Sequence, residues 1–149
     1  MWGQAATLVW RWLPRWIRGA LTWWINAHFI VGAAAVVRDR EGRVLVARHT
    51  YRRRTPWALP GGWVQRREDP ETAIVREIRE ETGLEVEVDE PLIVLRETPW
   101  HLTIVYAARL TGGTFRPSAE VSEVRFVRPG EWPEGLRKVH ETVVSDHMK

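Results

Sequence analysis

The sequence predicts an α+β fold, and three observations carry this prediction. The chain has 149 residues, enough for one domain with a sizeable core. After residue 29, helical periodicity is confined to about 70–82 and, more weakly, to about 133–146. Strand-like runs of β-branched and apolar residues lie at about 29–37, 43–48, 85–95, 101–110 and 123–128. Strands with few helices between them favour α+β over a doubly wound parallel sheet.

The first element in chain order is an amphipathic helix predicted at about 14–26. Pro14 is suited to its first position, where no backbone donor is needed, so the chain before it is expected to be a looser arm. Six of the ten tryptophans fall within the first 24 residues. Tryptophan and aliphatic side chains crowd one helical face. The other face carries the basic residues of the segment, Arg11, Arg15 and Arg18.

The partner of this helix is open from the sequence alone. A basic, Trp-rich amphipathic helix is typical of segments that lie in a membrane interface, which predicts peripheral membrane contact through residues 8–26. Packing on the protein's own core or on a second subunit, as in a homodimer, is the alternative that we favour. We expect residues 1–28 to form an N-terminal helical extension and residues 29–149 to form the main domain.

The next elements are a pair of strands. Residues 29–37 form an apolar run, and the polar stretch from Arg38 to Gly42 supplies a turn that ends in glycine. The second strand, at 43–48, alternates between side chains of opposite faces. Later strands are separated by the turn residues Glu97 to Pro99 and by the pair Gly112 and Gly113.

Charge and cysteine content exclude several classes of function. The formal net charge of +3 equals the charge of the N-terminal segment, so the main domain is neutral overall and no nucleic-acid partner is expected. A local excess of arginine between residues 38 and 54 suits an anionic substrate. The absence of cysteine excludes disulfides, thiolate metal sites and a cysteine nucleophile, and we expect a cytoplasmic protein.

The helix at 70–82 carries the clearest chemical signal. Asp69 is placed to cap it, Pro70 occupies the first helical position, and Gly83 is suited to a left-handed stop.

Three carboxylates of this helix are spaced i, i+3 and i+4, so they project from one arc: Glu77, Glu80 and Glu81. Like charges at this spacing repel, which calls for a cation. A hard divalent ion such as Mg²⁺ fits a set of oxygen ligands that also meets substrate phosphates. Gly61 and Gly62, just before the helix, let the backbone pass close to an ion or a phosphate.

Residues 62–84 match a known motif in full. Gly62 is followed after five residues by Glu68, and after seven more by Arg76-Glu77-Ile78; Glu80-Glu81 and Gly83-Leu84 then each follow after one residue. This is the complete Nudix box, and the chain therefore resembles a Nudix hydrolase over roughly residues 29–133. The resemblance implies an α/β/α sandwich with a mixed sheet.

The resemblance also implies hydrolysis, dependent on Mg²⁺ or Mn²⁺, of a nucleoside diphosphate linked to another group. It makes Glu77, Glu80 and Glu81 metal ligands, with the Gly61 carbonyl as a further ligand. Arg76 is implied as an orienting partner, and Glu68 as a supporting carboxylate. The family uses one more carboxylate on a loop after the box. Glu120 and Glu123 both suit that role, and Glu123 is the slightly preferred candidate.

The substrate is less closely defined. The candidates for holding a phosphate or a sugar are Arg52, Arg53 and Arg54, and those for stacking on a base are Tyr51, Trp57, Trp63 and Trp100. Pro99 resembles the proline that marks ADP-ribose pyrophosphatases. We therefore expect a small-molecule nucleoside diphosphate derivative, of the NDP-sugar or ADP-ribose type, to be the substrate. A nucleoside triphosphate pyrophosphohydrolase and a non-catalytic nucleotide-sensing module are the alternatives.

Overall fold

The computed structural model describes residues 10–147, so Trp2, Val9 and the other residues of 1–9 lie outside the described part. In chain order the elements are α1 (Arg15–Ile25), β1 (Ile30–Arg38), β2 (Val44–His49), β3 (Trp57–Ala58), β4 (Gly61–Trp63), α2 (Pro70–Thr82), β5 (Leu84–Thr98), β6 (His101–Gly113), β7 (Val121–Val127) and α3 (Lys138–His147).

A single seven-stranded mixed sheet forms the centre of the fold. Its main order is β3-β2-β1-β6-β5, while β4 pairs with β1 and β7 pairs with β2. Strand β1 runs parallel to β6 and antiparallel to β2 and β4. Strands β5 and β6 form a long antiparallel hairpin.

The two faces of the sheet are covered by different helices. Alternate residues of β1 point to opposite sides, so Ala33 and Ala35 belong to the cluster that includes Ile74 and Ile78 of α2. Ala34 and Val36 belong to the cluster that also contains two valines of α3, Val143 and Val144. The predicted α/β/α sandwich with a mixed sheet is thereby confirmed. Strand β1 is central and contributes to both clusters. Its small residues Gly32, Ala33 and Ala34 line a cavity.

The differences from the predicted elements arise where pairing overrides propensity. Strands β3 and β4, of two and three residues, are too short to predict, but β4 places Gly61 and Gly62 opposite Ala34 and Ala33 of β1. Helix α3 begins only at Lys138, and not at residue 133. The preceding segment is held in a turn, because the Arg137 amide donates to the Trp57 carbonyl.

The N-terminal helix α1 runs from Arg15 to Ile25, in agreement with the prediction, with Pro14 at its N-cap. Residues 10–12 are also helical, so the looser arm expected there is not observed in the described residues. Helix α1 buries none of its residues. The favoured packing of its apolar face on the protein's own core is therefore contradicted. Within residues 10–147, no helix is long and apolar enough to cross a membrane.

Candidate active site

The site is built on the segment that leads from β4 into α2. Pro70 stands at the start of the helix, and Gly83 ends it in the left-handed conformation with φ of 73°. Asp69 occupies the N-cap position, but its side chain makes no capping hydrogen bond; only its carbonyl accepts, from the Ala73 amide. The helix is anchored by Ile74 and Ile78, which are fully buried against the sheet.

Gly61 and Gly62 allow the helix to approach the sheet. A Cβ atom on Gly62 would overlap the carboxylate of Glu77, and one on Gly61 would overlap the backbone of Ala33 and Ala34. Gly61 also has a φ of 150°, a conformation that side chains rarely adopt. These two positions thus require glycine because of close approach, as the sequence predicts.

Arg76 joins the carboxylates of this segment. Its Nε donates to Glu68 Oε1 at 2.7 Å and its Nη2 to Glu68 Oε2 at 2.9 Å, a bidentate pair. Its Nη1 donates to Glu77 Oε1 at 2.8 Å and to Glu80 Oε2 at 3.2 Å. Nη2 also donates to the Trp63 carbonyl at 3.1 Å, which ties the network to β4. We call Glu68, Arg76, Glu77, Glu80 and Glu81 the acidic cluster.

The electrostatics of Glu68 follow from this geometry. The hydrogen bond from Arg76 and the bond from the Gln65 amide, at 2.8 Å, lower the pKa of Glu68 to about 2. The same pairing raises the pKa of Arg76. Glu68 therefore stays ionised and holds the guanidinium in place, which agrees with a supporting role.

Glu81 differs from its neighbours because it is buried, with 7% of its surface exposed. Its Oε2 has no hydrogen-bond partner among the described residues. Burial, and then the negative charges of Glu77 and Glu120, raise the pKa of Glu81 to about 7, while Arg52 opposes the shift. An unpartnered buried carboxylate surrounded by acids is unfavourable unless a cation joins it.

The residues of the acidic cluster fit a hard divalent cation. Oxygen ligands are available from Glu77, Glu80 and Glu81, and the unpartnered Oε2 of the last marks where positive charge is needed. Within residues 10–147, no three acidic or imidazole groups converge closely enough to hold an ion as they stand. Arg76 engages Glu77 Oε1 and Glu80 Oε2, which leaves the second oxygen of each carboxylate available to a cation.

A cavity of about 310 Å³ adjoins the acidic cluster. Gly61 and Gly62 line one side of it, and Arg52 and Glu120 face it from the loops after β2 and before β7. Glu77 lies against the lining residue Gly62, and the charges of the lining residues Glu120 and Arg52 act on Glu81, so these two carboxylates lie next to the cavity although neither lines it. An anionic group in this cavity would meet Arg52 beside the carboxylate oxygens.

Four residues that the sequence did not single out as a group form the opposite side of the cavity: Glu97, Thr103, Arg137 and His140. Arg137 Nη2 donates to Glu97 Oε2 at 2.6 Å, and the Thr103 hydroxyl donates to Glu97 Oε1 at 2.9 Å. Burial alone would raise the pKa of Glu97, but these bonds outweigh it and lower that pKa. We call these four residues the distal cluster.

His140 connects the distal cluster to the core. Its Nδ1 accepts a hydrogen bond from the Leu59 amide at 2.9 Å, and its Nε2 lies 3.4 Å from Arg137 Nη1. Burial, followed by the charge of Arg137, lowers the pKa of His140 to about 3. The imidazole is therefore neutral at physiological pH, which suits an acceptor for a buried amide.

Only some of the aromatic residues predicted to stack on a base line the cavity. Trp57 is buried, and the Arg125 guanidinium covers its ring at 4.6 Å, so it cannot stack on a base. Trp100 is exposed at the turn between β5 and β6 and lies outside the cavity lining, as does Arg54. The aromatic side chains that line the cavity are Tyr51 and Trp63, and the Trp63 ring centroid is 4.5 Å from that of His101, which also lines it.

The two candidates for the additional carboxylate are separated by the structure. Glu123 lies in β7, and its Oε1 accepts from Arg125 Nε at 2.8 Å. Glu120 precedes β7 at a point where its backbone carbonyl accepts from the Thr50 amide, and it lines the cavity. The preferred Glu123 is therefore placed away from the cavity, and the alternative Glu120 faces it. Strand pairing of β7 with β2, which the sequence does not show, decides between them.

Comparisons with known proteins agree with this geometry. The family profile of the NUDIX domain matches residues 28–146. A MutT-like protein of Streptomyces ambofaciens is 37% identical over 122 residues, which cover 81% of this chain and 77% of that protein. The ADP-ribose pyrophosphatase of Methanocaldococcus jannaschii is 31% identical over 127 residues, covering 82% and 75%.

A solved structure of a MutT NUDIX hydrolase from Burkholderia pseudomallei superimposes with a TM-score of 0.69 at 25% identity, covering 79% of this chain and 97% of that one. The fold, the acidic cluster and the adjoining cavity define a hydrolase of phosphorus-containing anhydrides. The chain belongs to the Nudix hydrolase family.

Proposed function

We propose that this Nudix hydrolase cleaves the diphosphate linkage of a nucleoside diphosphate derivative, of the NDP-sugar or ADP-ribose type, with Mg²⁺ or Mn²⁺. The observation that carries the proposal is the unpartnered, buried carboxylate of Glu81, on which the charges of the cavity-lining residues Arg52 and Glu120 act. The ADP-ribose pyrophosphatase among the relatives supports the substrate class.

The metal ligands in this proposal are Glu77, Glu80 and Glu81, with the Gly61 carbonyl as a further ligand. A divalent ion bound there would neutralise diphosphate charge and lower the pKa of an attacking water. Arg76 has a positioning role, because its guanidinium binds Glu68 and orients the carboxylates of Glu77 and Glu80.

The chain's own carboxylates also provide for proton transfer. Glu120 faces the cavity and is close enough to Glu81 to influence its pKa, so we propose Glu120, in place of Glu123, as the carboxylate that accepts the proton of the attacking water. Its exposed position keeps a path open for the proton to reach solvent.

Substrate contacts are proposed for residues that line the cavity. Arg52 suits a phosphate, because its guanidinium offers paired donors. Trp63, which is 53% exposed and tilted by 41° against the His101 ring, offers a ring face for a base. The cavity of about 310 Å³ is at the small end of ligand sites, so part of a dinucleotide-sized substrate would extend beyond it.

A second candidate function is nucleoside triphosphate pyrophosphohydrolysis, which is supported by a relative from Proteus vulgaris, an 8-oxo-dGTP diphosphatase that is 36% identical over 56 residues. The same carboxylates would serve it, and only the group at the distal end of the cavity would differ. A nucleotide-sensing module is the third candidate. Retention of every carboxylate of the box argues against it, since sensing does not need them.

The decisive experiment is a hydrolysis assay with Mg²⁺ on ADP-ribose, UDP-glucose, dGTP and ATP, with products separated by chromatography. We expect Glu80→Gln and Glu81→Gln each to lower turnover by about 10²- to 10⁴-fold. Glu90→Gln, which changes an exposed carboxylate of β5, is the matched control and should leave turnover unchanged. Near-normal turnover in both box variants, with folding preserved by circular dichroism, would contradict a catalytic role.

The domain division is also a proposal. Residues 1–28 are proposed as an appendage to a hydrolase domain of residues 29–149, consistent with the exposed state of α1. A second copy of the chain and a lipid surface are the two partners that its apolar face would suit.

A further inference from the structure

The apolar side chains of the N-terminal segment are far more exposed than a monomeric surface explains. The exposed fractions are 87% for Trp12, 75% for Trp16, 79% for Trp24 and 77% for Ile25. Large contiguous apolar surface of this kind marks an interaction site. Since α1 buries none of its residues, the partner that covers its apolar side chains comes from outside residues 10–147.

The arrangement of side chains around α1 is sharply divided. At about 100° per residue, the polar face covers roughly a third of the circumference and holds Arg15, Arg18, Thr22 and the following Asn26. The remaining arc, about 200° wide, is apolar and holds Trp16, Ile17, Ala20, Leu21, Trp23, Trp24 and Ile25. A single partner helix covers only a narrow seam of such an arc, whereas a planar apolar medium covers all of it.

The charge of the segment indicates the chemistry of that medium. No acidic residue occurs before Asp39, whereas Arg11, Arg15 and Arg18 are all present in the described part of the segment. Arginine can extend its charged end from the edge of an apolar face to an anionic headgroup. Tryptophan, the most abundant residue type of the apolar arc, is enriched where the hydrocarbon of a bilayer meets water.

We propose that α1 lies in the plane of an anionic lipid bilayer, with its tryptophans in the interface and its arginines at the headgroups. The helix has 11 residues, so it is about 16 Å long, which is too short to span a bilayer but sufficient to lie along one. An anionic bilayer is favoured over a second copy because the whole net positive charge of the chain resides beside this face.

Membrane docking would also position the hydrolytic site. Gly32 in the cavity lining is seven positions after Ile25 at the end of α1, so the two Cα atoms are at most about 25 Å apart. The Ile30 amide donates to the Trp100 carbonyl, which brings the exposed turn of β5 and β6 to the same end of the sheet. A helix docked on a bilayer would therefore hold this edge of the cavity within about 25 Å of the end of α1.

The test is co-sedimentation of the full chain with vesicles of phosphatidylcholine alone and of phosphatidylcholine with 30% phosphatidylglycerol, a composition of roughly the anionic content that recruits basic segments. We expect binding to the anionic vesicles, weakened by raised salt. Neutralising Arg11, Arg15 and Arg18 to Gln should weaken it about 100-fold, because each cation near such a surface contributes about fivefold. Replacing Trp16 and Trp24 with Ala should abolish it.

The matched control neutralises three exposed arginines of the main domain, Arg40, Arg66 and Arg128, to Gln, and should leave vesicle binding intact. Hydrolysis of a water-soluble substrate should be unchanged in all helix variants, which separates this test from that of the proposed activity. The proposal is overturned if the full chain stays in the supernatant with anionic vesicles. It is also overturned if the control variant loses binding equally, or if sedimentation equilibrium shows a dimer that the Trp16 and Trp24 changes dissociate.

Discussion

The two sides of the cavity contrast in how they are assembled. The acidic cluster comes from residues 68–81, on one helix and the loop before it. The distal cluster combines Glu97 of β5, Thr103 of β6 and His140 of α3 with Arg137 just before that helix. The first depends on local spacing alone, while the second exists only because the sheet and α3 meet.

The two clusters also differ in charge balance. In the acidic cluster one guanidinium serves three carboxylates, and the Glu81 Oε2 has no partner in the described structure. In the distal cluster, Glu97 and Arg137 pair one to one, and Thr103 completes the second oxygen. Unbalanced negative charge is typical of a place where a cation binds, whereas a balanced pair is typical of a shape-determining contact.

Among the tests of this difference between the two clusters, the largest change in turnover is expected from Gly62→Ala. The added methyl group would overlap the Glu77 carboxylate and displace it, so turnover should fall about 100-fold, as misplacement by about 1 Å can cause. Gly19→Ala, in open space on α1, is the control. Turnover and thermal unfolding would be measured together; unchanged turnover in a folded Gly62 variant would show that Glu77 need not hold this position.

A smaller effect is expected from breaking the distal pair. Glu97→Gln leaves the guanidinium of Arg137 facing a neutral amide, and should lower the free energy of unfolding by about 1–3 kcal/mol. A double-mutant cycle with Arg137→Met, measured by urea unfolding, would give the coupling between the two side chains. Additive losses in the cycle would contradict the one-to-one pairing.

The smallest effect is a change in pH dependence caused by His140. Its pKa is lowered on folding from about 6.5 to about 3, so the neutral form stabilises the native state fully above pH 6.5, and this stability is lost as the pH falls toward 3. Protonation would cost the hydrogen bond from Leu59 and place a second cation beside Arg137.

His140→Asn keeps an acceptor but does not titrate. Between pH 6.5 and 5.5 it should remove about 1 kcal/mol of the decline in unfolding free energy, measured by urea titration at each pH. The remaining decline is expected from His49, a buried histidine whose pKa is lowered to about 4, chiefly by burial. An unaltered pH slope in the variant would show that His140 is not the group that titrates.

Much of the fold followed from periodicity. The helices at 15–25 and 70–82 and the strands β1 and β2 lie where the apolar patterns predict them. Strands β3 and β4 escaped prediction because they have only two and three residues and are held by their pairing with β2 and β1. The start of α3 was placed too early because the segment before it is bound to Trp57, a long-range contact.

The site shows the same division. The residues of the box could be grouped from the sequence because they lie on one helix and the loop before it, and Arg76 joins Glu68, Glu77 and Glu80 in the structure. Arg52, selected from a run of arginines, lines the cavity. Trp57 was wrong as a stacking surface because its burial depends on Arg125, which arrives from β7. Glu97 was treated as a turn residue, since nothing in its neighbourhood indicates that Arg137 would reach it.

The sequence by itself determined the hydrolase family, the carboxylate arc on α2 and the amphipathic character of α1, because each depends on spacing within one element. The tertiary structure decided that Glu120 and not Glu123 faces the cavity, that Arg137 closes its far side, and that the tryptophans of α1 remain uncovered. Those outcomes depend on which strands pair and which helix covers which face of the sheet. Contacts between residues distant in the chain do not produce a periodic sequence pattern from which they could be predicted.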